Sequence, residues 1–225
     1  VLVRDEEDAI YLYETRYSLH NGKKLVRKGL LCLVGLAEFS EGVVKPHERT
    51  FDTVIADRLR LLQHCRAQFS QIFSLYSDPD NTVIDLLEKA HSVPVGAVTD
   101  ADGCTHAIRK VVDHGTIHLV QSFFRHRSLY IADGHHRYTT ALAHRRLVRE
   151  ERRKLPATDP ANHVMMYLCP MEDPGLSVLP THRLLHWPGE MDAGQLAARL
   201  SSDFDVVEIH ADSRESLVEE VLSRM

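Results

Sequence analysis

The segment Leu129 to Ala143, LYIADGHHRYTTALA, holds the residue types and spacing best suited to chemistry. An apolar stretch runs into Asp133. Gly134 permits a tight turn and close approach of the backbone to a ligand, and a helix is expected to begin near His135. The start of such a helix presents unpaired N–H groups and partial positive charge, which favours an anion. Arg137 adds a forked cation that matches phosphate. His135 and His136 are adjacent, so on a helix they point about 100° apart, and one lines a site while the other packs or orients it. Asp133 falls at the carboxyl end of the expected strand, a common place for a catalytic or metal-binding carboxylate. Capping a helix would need only the aspartate.

A second group, Lys45-Pro46-His47-Glu48-Arg49-Thr50, follows an apolar stretch and is expected to be a loop. A glutamate beside a histidine and an arginine has the chemistry of a general base for a hydroxyl nucleophile, and a solvated charged loop explains the same residues equally well. A third group, Pro180-Thr181-His182-Arg183, has similar chemistry in a less distinctive context. The basic run from Arg145 to Lys154 includes Glu150 and Glu151 and no alternating aromatics, so it reads as a solvated helix end rather than a nucleic-acid surface. No P-loop, HExxH or GxSxG pattern occurs.

The elements that must position these residues can be read from periodicity and turn chemistry. Ala9–Ser18 and Leu25–Phe39 flank Asn21-Gly22 and predict a β-hairpin. Glu41–Thr50 is polar, contains Pro46 and predicts a loop. Leu59, Leu62, Cys65 and Phe69 recur at helical spacing and predict a helix over Ile55–Phe69. Ile72–Tyr76 predicts a strand, Asp78–Asn81 a turn and Thr82–Ala90 a short helix. Val95–Thr99 and Thr105–Val112 form a second hairpin about Asp102-Gly103, and Asp113 caps a helix to about Phe124. The strand Leu129–Ala132 leads into a helix reaching about Lys154. Pro156 and Pro160 mark a linker, so residues 1–154 form the core carrying both motifs, and 155–225 continue that domain or start a second. Within the latter, Val164–Leu168, Leu176–Leu179 and Val206–Ile209 predict strands, while Asp192 and Ser213 cap helices. Hairpins mixed with strand–helix units favour an α+β, or mixed α/β, class.

The chain has 225 residues, 44% hydrophobic and 26% charged, with a net charge of -5, a balance that supports a packed core and brings no basic pull toward nucleic acid or anionic membranes. The longest apolar run, Gly29–Ala37, falls well short of the roughly 20 residues that span a bilayer and reads as a buried strand. Cys32, Cys65, Cys104 and Cys169 contain no Cys-x-x-Cys pair and read as reduced core thiols, which places the protein in the cytoplasm.

On IADGHHRYTTALAHR, EGVVKPHERT with Asp57-Arg58, the Ile72–Tyr76 strand and Leu179-Pro180-Thr181-His182-Arg183, the chain resembles the DUF1015 family over nearly its whole length. Members extend further at both ends, so the resemblance implies the middle section of a longer protein, lacking an N-terminal segment that could complete the site. More distantly, Asp133-Gly134-His135-His136-Arg137 resembles the signature of the free-serine kinases, which have a ParB/sulfiredoxin-like fold and carry an upstream His-Glu pair matched here by His47-Glu48. His135 stands where sulfiredoxins carry their cysteine, which excludes their reaction, and only Gly134 and Arg137 match the ParB pattern.

The resemblance implies a nucleotide-dependent kinase or phosphotransferase acting on the hydroxyl of a small molecule, using ATP or ADP with Mg²⁺. Glu48, Asp133 and His135 are the expected catalytic residues, with Asp133 also the expected Mg²⁺ ligand. Gly134, His136, Arg137 and Arg49 are expected to hold phosphate, and His47, Thr181, His182 and Arg183 to line a substrate pocket. Partners would be the substrate and the nucleotide, with neither membrane nor nucleic acid and with a homo-oligomer left open. Two other readings stand beside this one: a metal-dependent hydrolase using Asp133, His135 and His182, and a non-catalytic nucleotide-binding regulatory module.

Overall fold

The computed structural model describes residues 5–19, 21–179, 189 and 192–223. The chain divides into two compact units, 1–177 and 178–225. The first is built on an eight-stranded mixed sheet, so the protein is α+β.

The Asn21-Gly22 turn joins β1 (Ile10–Ser18) to β2 (Lys24–Gly35) in an antiparallel hairpin. Its glycine takes a left-handed φ of 79°, the conformation that makes Asn-Gly a hairpin signal. β2 ends at Gly35 rather than Phe39, and Phe39–Glu41 forms a single 3-10 turn. The apolar run on β2 is only partly buried, and Leu33 is 68% exposed, because alternate residues of a strand face opposite ways.

The polar stretch expected to be a loop contains a strand. β3, Val44–Lys45, pairs in parallel with β7, Leu129–Asp133. Helix α1 spans Asp52–Cys65, three residues earlier than periodicity predicts, and stops where Arg66 turns left-handed. Phe69 lies beyond it. β4 (Ile72–Tyr76), α2 (Thr82–Lys89), β5 (Ser92–Thr99), β6 (Thr105–Val111) and α3 (His114–Phe124) follow, with the Asp113 side chain accepting from Thr116 N at the start of α3. β7 then leads through Gly134 into α4 (His135–Arg152).

The Pro156–Pro160 segment lies inside the first unit and leads to β8 (His163–Pro170), a central strand between β4 and β2. The strand order is β3-β7-β4-β8-β2-β1-β6-β5. Leu176–Leu179 and Val206–Ile209 are not strands: Leu176 N closes a turn on Asp173 O, and neither segment finds a ladder partner among the described residues. In the second unit, α5 (Ala193–Leu200) begins with a reciprocal cap between Asp192 and Gln195, and α6 (Arg214–Ser223) follows Ser213.

Alternation divides the first unit's sheet into two faces. Leu12, Ile72, Met166 and Leu168 point toward Val83, Ile84 and Leu87 of α2, Val120 of α3, and Tyr138 and Leu142 of α4, forming one core. Tyr13, Phe73 and Tyr167 occupy the opposite face in mutual contact. Helix α4 is anchored at several points. Tyr138 Oη donates to Ala37 O at 2.7 Å. Buried Arg145 donates to Leu36 O and Glu38, and Arg146 also reaches Glu38. Arg146 and Arg145 hold the Glu38 carboxyl below its usual range.

The expectation of four core thiols is corrected for two of them. All four cysteines are free, but Cys65 is exposed, because α1 buries none of its residues, and Cys104, beside the β5–β6 turn, is only partly buried and outside the core.

Candidate functional site

The parallel pairing of β3 with β7 decides where the two sequence motifs meet. Parallel strands end on the same side of a sheet. The loop leaving Lys45 therefore crosses the end of β7, where the 133–137 turn begins. Gly134 sits at φ 101°, a conformation that calls for glycine, and a Cβ there would come within 2.9 Å of the Arg137 guanidinium, which would have to shift. No side chain caps α4, which leaves its first-turn amides open to an anion.

The two histidines of that turn hold the loop. His47 N donates to His135 Nε2 at 3.2 Å, and Phe51 N donates to His136 Nε2 at 3.1 Å. A backbone N–H is always a donor, so both Nε2 atoms are unprotonated and each neutral ring carries its proton on Nδ1. His135 Nδ1 lies 3.3 Å from Glu48 Oε1, a close electrostatic contact between the ring and the carboxylate. His136 stacks on Phe51 with ring centroids 5.9 Å apart and keeps its Nδ1–H available. His47 Nδ1 donates to Ile131 O at 2.8 Å, and its ring meets that of His135 edge-on with centroids 4.4 Å apart.

Each expected site residue has a definite place. His135 is the inward-facing member of the pair, only 2% exposed, and lies against the Glu48 carboxylate. His136 and Gly134 face the helix start. Glu48 is half-exposed. Asp133 Oδ2 accepts from Arg137 Nη2 at 2.6 Å. Arg137 also donates to Ser70 Oγ at 2.9 Å and to Gln71 O, so the start of β4 shares its guanidinium. Arg49 is exposed and makes no hydrogen bond or ion pair among the described residues. Thr181, His182 and Arg183 lie outside the described residues. Sequence reasoning missed Phe51, Ser70 and Gln71. Their roles follow from long-range pairing, and only the polar Ser-Gln pair preceding an apolar strand could have marked the last two.

The imidazole acceptors make the site sensitive to acid. Burial, reinforced by neighbouring His47, holds the His135 pKa below the ordinary 6.5, against the opposing pull of Glu48 and Asp133. The folded protein thus takes this proton at lower pH than the unfolded chain. Below about pH 6.5 the unfolded chain binds more protons, and stability falls as pH drops through that window toward the folded pKa. His144, lowered mainly by burial, acts in the same direction. Melting temperatures measured from pH 7.5 to 5 are expected to decline, with a shallower decline in His135→Asn and a residual slope from His144. An unchanged slope in His135→Asn would refute the assignment.

Among the described residues no helix is long and apolar enough to cross a membrane. No curated protein and no solved structure matches the chain. The model of a family described as "Protein of unknown function (DUF1015)" matches residues 1–222, nearly the whole chain and both halves of the site, and the protein therefore belongs to the DUF1015 family.

Proposed function

We propose that this protein is a nucleotide-dependent phosphotransferase acting on the hydroxyl of a small molecule, in the manner of the free-serine kinases that its Asp-Gly-His-His-Arg signature resembles. The observation that carries the reading is the half-exposed Glu48 carboxylate, 3.3 Å from Nδ1 of His135, the first residue of the uncapped helix α4. Glu48 accepts the proton of the substrate hydroxyl as its oxygen attacks phosphorus. The α4 amides, His136 Nδ1–H and the unspent donors of Arg137 hold phosphate oxygens as charge shifts to the leaving group. Such transfers depend mainly on positioning and charge neutralisation.

ATP or ADP supplies the phosphoryl group, and Mg²⁺ neutralises its charge. Asp133 fits that ion: one of its oxygens is engaged by Arg137, while its side chain is 76% exposed, an arrangement suited to a largely hydrated Mg²⁺. Calorimetry of the full chain with ATP, ADP and CTP in Mg²⁺ is expected to show saturable heat with at least one of them. Binding should weaken about tenfold in Arg137→Lys, which keeps the charge and loses the fork. Absence of heat with all three nucleotides would sink the proposal.

A second reading rests on His47, Glu48 and His135, which bring potential ligand atoms within 4.8 Å of one another. It is a metal-dependent hydrolase with the cation on these residues rather than on the expected Asp133, His135 and His182. It requires His135 Nδ1 to lose its proton while Nε2 still accepts the His47 amide, so the proton positions favour the phosphotransferase. Stoichiometric tightly held Zn²⁺ or Mn²⁺ in the purified protein would reverse that preference.

A further inference from the structure

A pocket of about 100 Å³ opens between α1, α4 and the start of β4, with Arg137 in its lining. Its walls follow from helical spacing. Arg58, Leu61 and Leu62 share one face of α1, and Arg137, Thr140 and Ala141 share one face of α4. Ile72 of β4 and Val164 of β8 contribute apolar surface from the sheet. Phe69 stands at the mouth, 67% exposed. Gln68 steadies this wall by bonding His163 O and Met165 N, continuing the β4 side of the β8 ladder.

The pocket is mostly apolar, with cations at its rim. Arg58 is exposed and makes no hydrogen bond or ion pair among the described residues. Arg137 belongs both to the pocket and to the 133–137 turn. The volume is several times the roughly 10–15 Å³ that one water requires, and with its open mouth the pocket can seat the edge of a flat ring but not an entire nucleotide. Thr140 and Ala141 lie about one to one and a half turns along α4 from its open amides, about 5–8 Å at the helical rise. A ring in the pocket can therefore be continuous with phosphate at the start of the helix.

We propose that this pocket is the base-binding subsite of the nucleotide, with Phe69 covering the ring, Leu61 and Leu62 packing its plane, and Arg58 meeting the phosphate chain at the rim. The assignment rests on the phosphotransferase reading and adds to it the place and determinants of nucleobase recognition. Every base has a π-face, so stacking on Phe69 selects a nucleotide over bare phosphate more strongly than one base over another.

The test compares ATP with inorganic tripolyphosphate, each with Mg²⁺, on the full chain by calorimetry. In Phe69→Ser, an exposed position that leaves the core untouched, ATP is expected to bind at least about fivefold more weakly, with tripolyphosphate unchanged. Ala141→Leu, which fills the pocket from α4, should have the same selective effect. Undiminished ATP affinity in Phe69→Ser, or equal losses for both ligands, would overturn the base subsite while leaving phosphate binding at α4 intact. Wild-type protein that binds neither ligand would overturn the phosphotransferase reading and the subsite with it.

Discussion

Gly29→Ala is expected to lower the melting temperature of the first unit by roughly 6–12 °C, corresponding to about 3 kcal/mol of overpacking. Gly29 lies on β2 opposite Tyr13, and the Tyr167 ring of β8 rests on it. A Cβ there would overlap that ring and come within 2.5 Å of Leu168 O. Tyr167 cannot retreat easily, because it is only 2% exposed and packs edge-on to Tyr13 and against Phe73. The alternative adjustment, separation of β2 from β8, strains a ladder in the middle of the sheet. The same strand supplies the control. Gly35 has open space where a Cβ would stand, so Gly35→Ala should be neutral or stabilising by up to about 1 kcal/mol through lost unfolded-state entropy. Thermal melts in which the two variants behave alike would show that ring-on-glycine packing is not what Gly29 provides.

The damage from Gly29→Ala should reach the site, since Tyr167 pairs with Phe73 and Phe73 with Asp133 across adjacent strands. Such sideways coupling is invisible in the sequence. What can be read there is local: the Asn-Gly hairpin, the Asp113 cap, and the turn from β7 into α4 are each set by neighbours in the chain. β8 shows the limit. Its apolar residues predict a strand, but not one inserted between β4 and β2 across a long separation. Leu176–Leu179 and Val206–Ile209 show the converse, because apolar residues need a free sheet edge to become a strand. At the site, both motifs can be picked out by residue type. Their meeting depends on β3, two residues inside a polar stretch where no periodicity can register. The inward turn of His135 and the sharing of Arg137 with Ser70 and Gln71 are tertiary facts for the same reason.

Glu48→Gln is expected to reduce phosphoryl transfer by about 10²- to 10⁴-fold, the range associated with loss of a positioned general base, while leaving nucleotide binding unchanged. The substitution isolates proton acceptance. Glutamine matches the length of glutamate, and the 47–51 loop stays fastened by the backbone N–H bonds from His47 and Phe51 to the imidazoles, which the substitution does not touch. The open amides of α4 and the donors of Arg137 are untouched. Phosphoserine formation from free serine with ATP or ADP and Mg²⁺ provides the assay, and calorimetry on the same samples tests binding. A variant that binds nucleotide and turns over at the wild-type rate would remove Glu48 from the chemistry. A wild-type protein that binds nucleotide without forming product, and is indifferent to the substitution, would instead support a regulatory module. The prediction depends on the meeting of two strand ends: because β3 runs parallel to β7, the carboxylate that would take the proton stands beside the amides that would hold the phosphate.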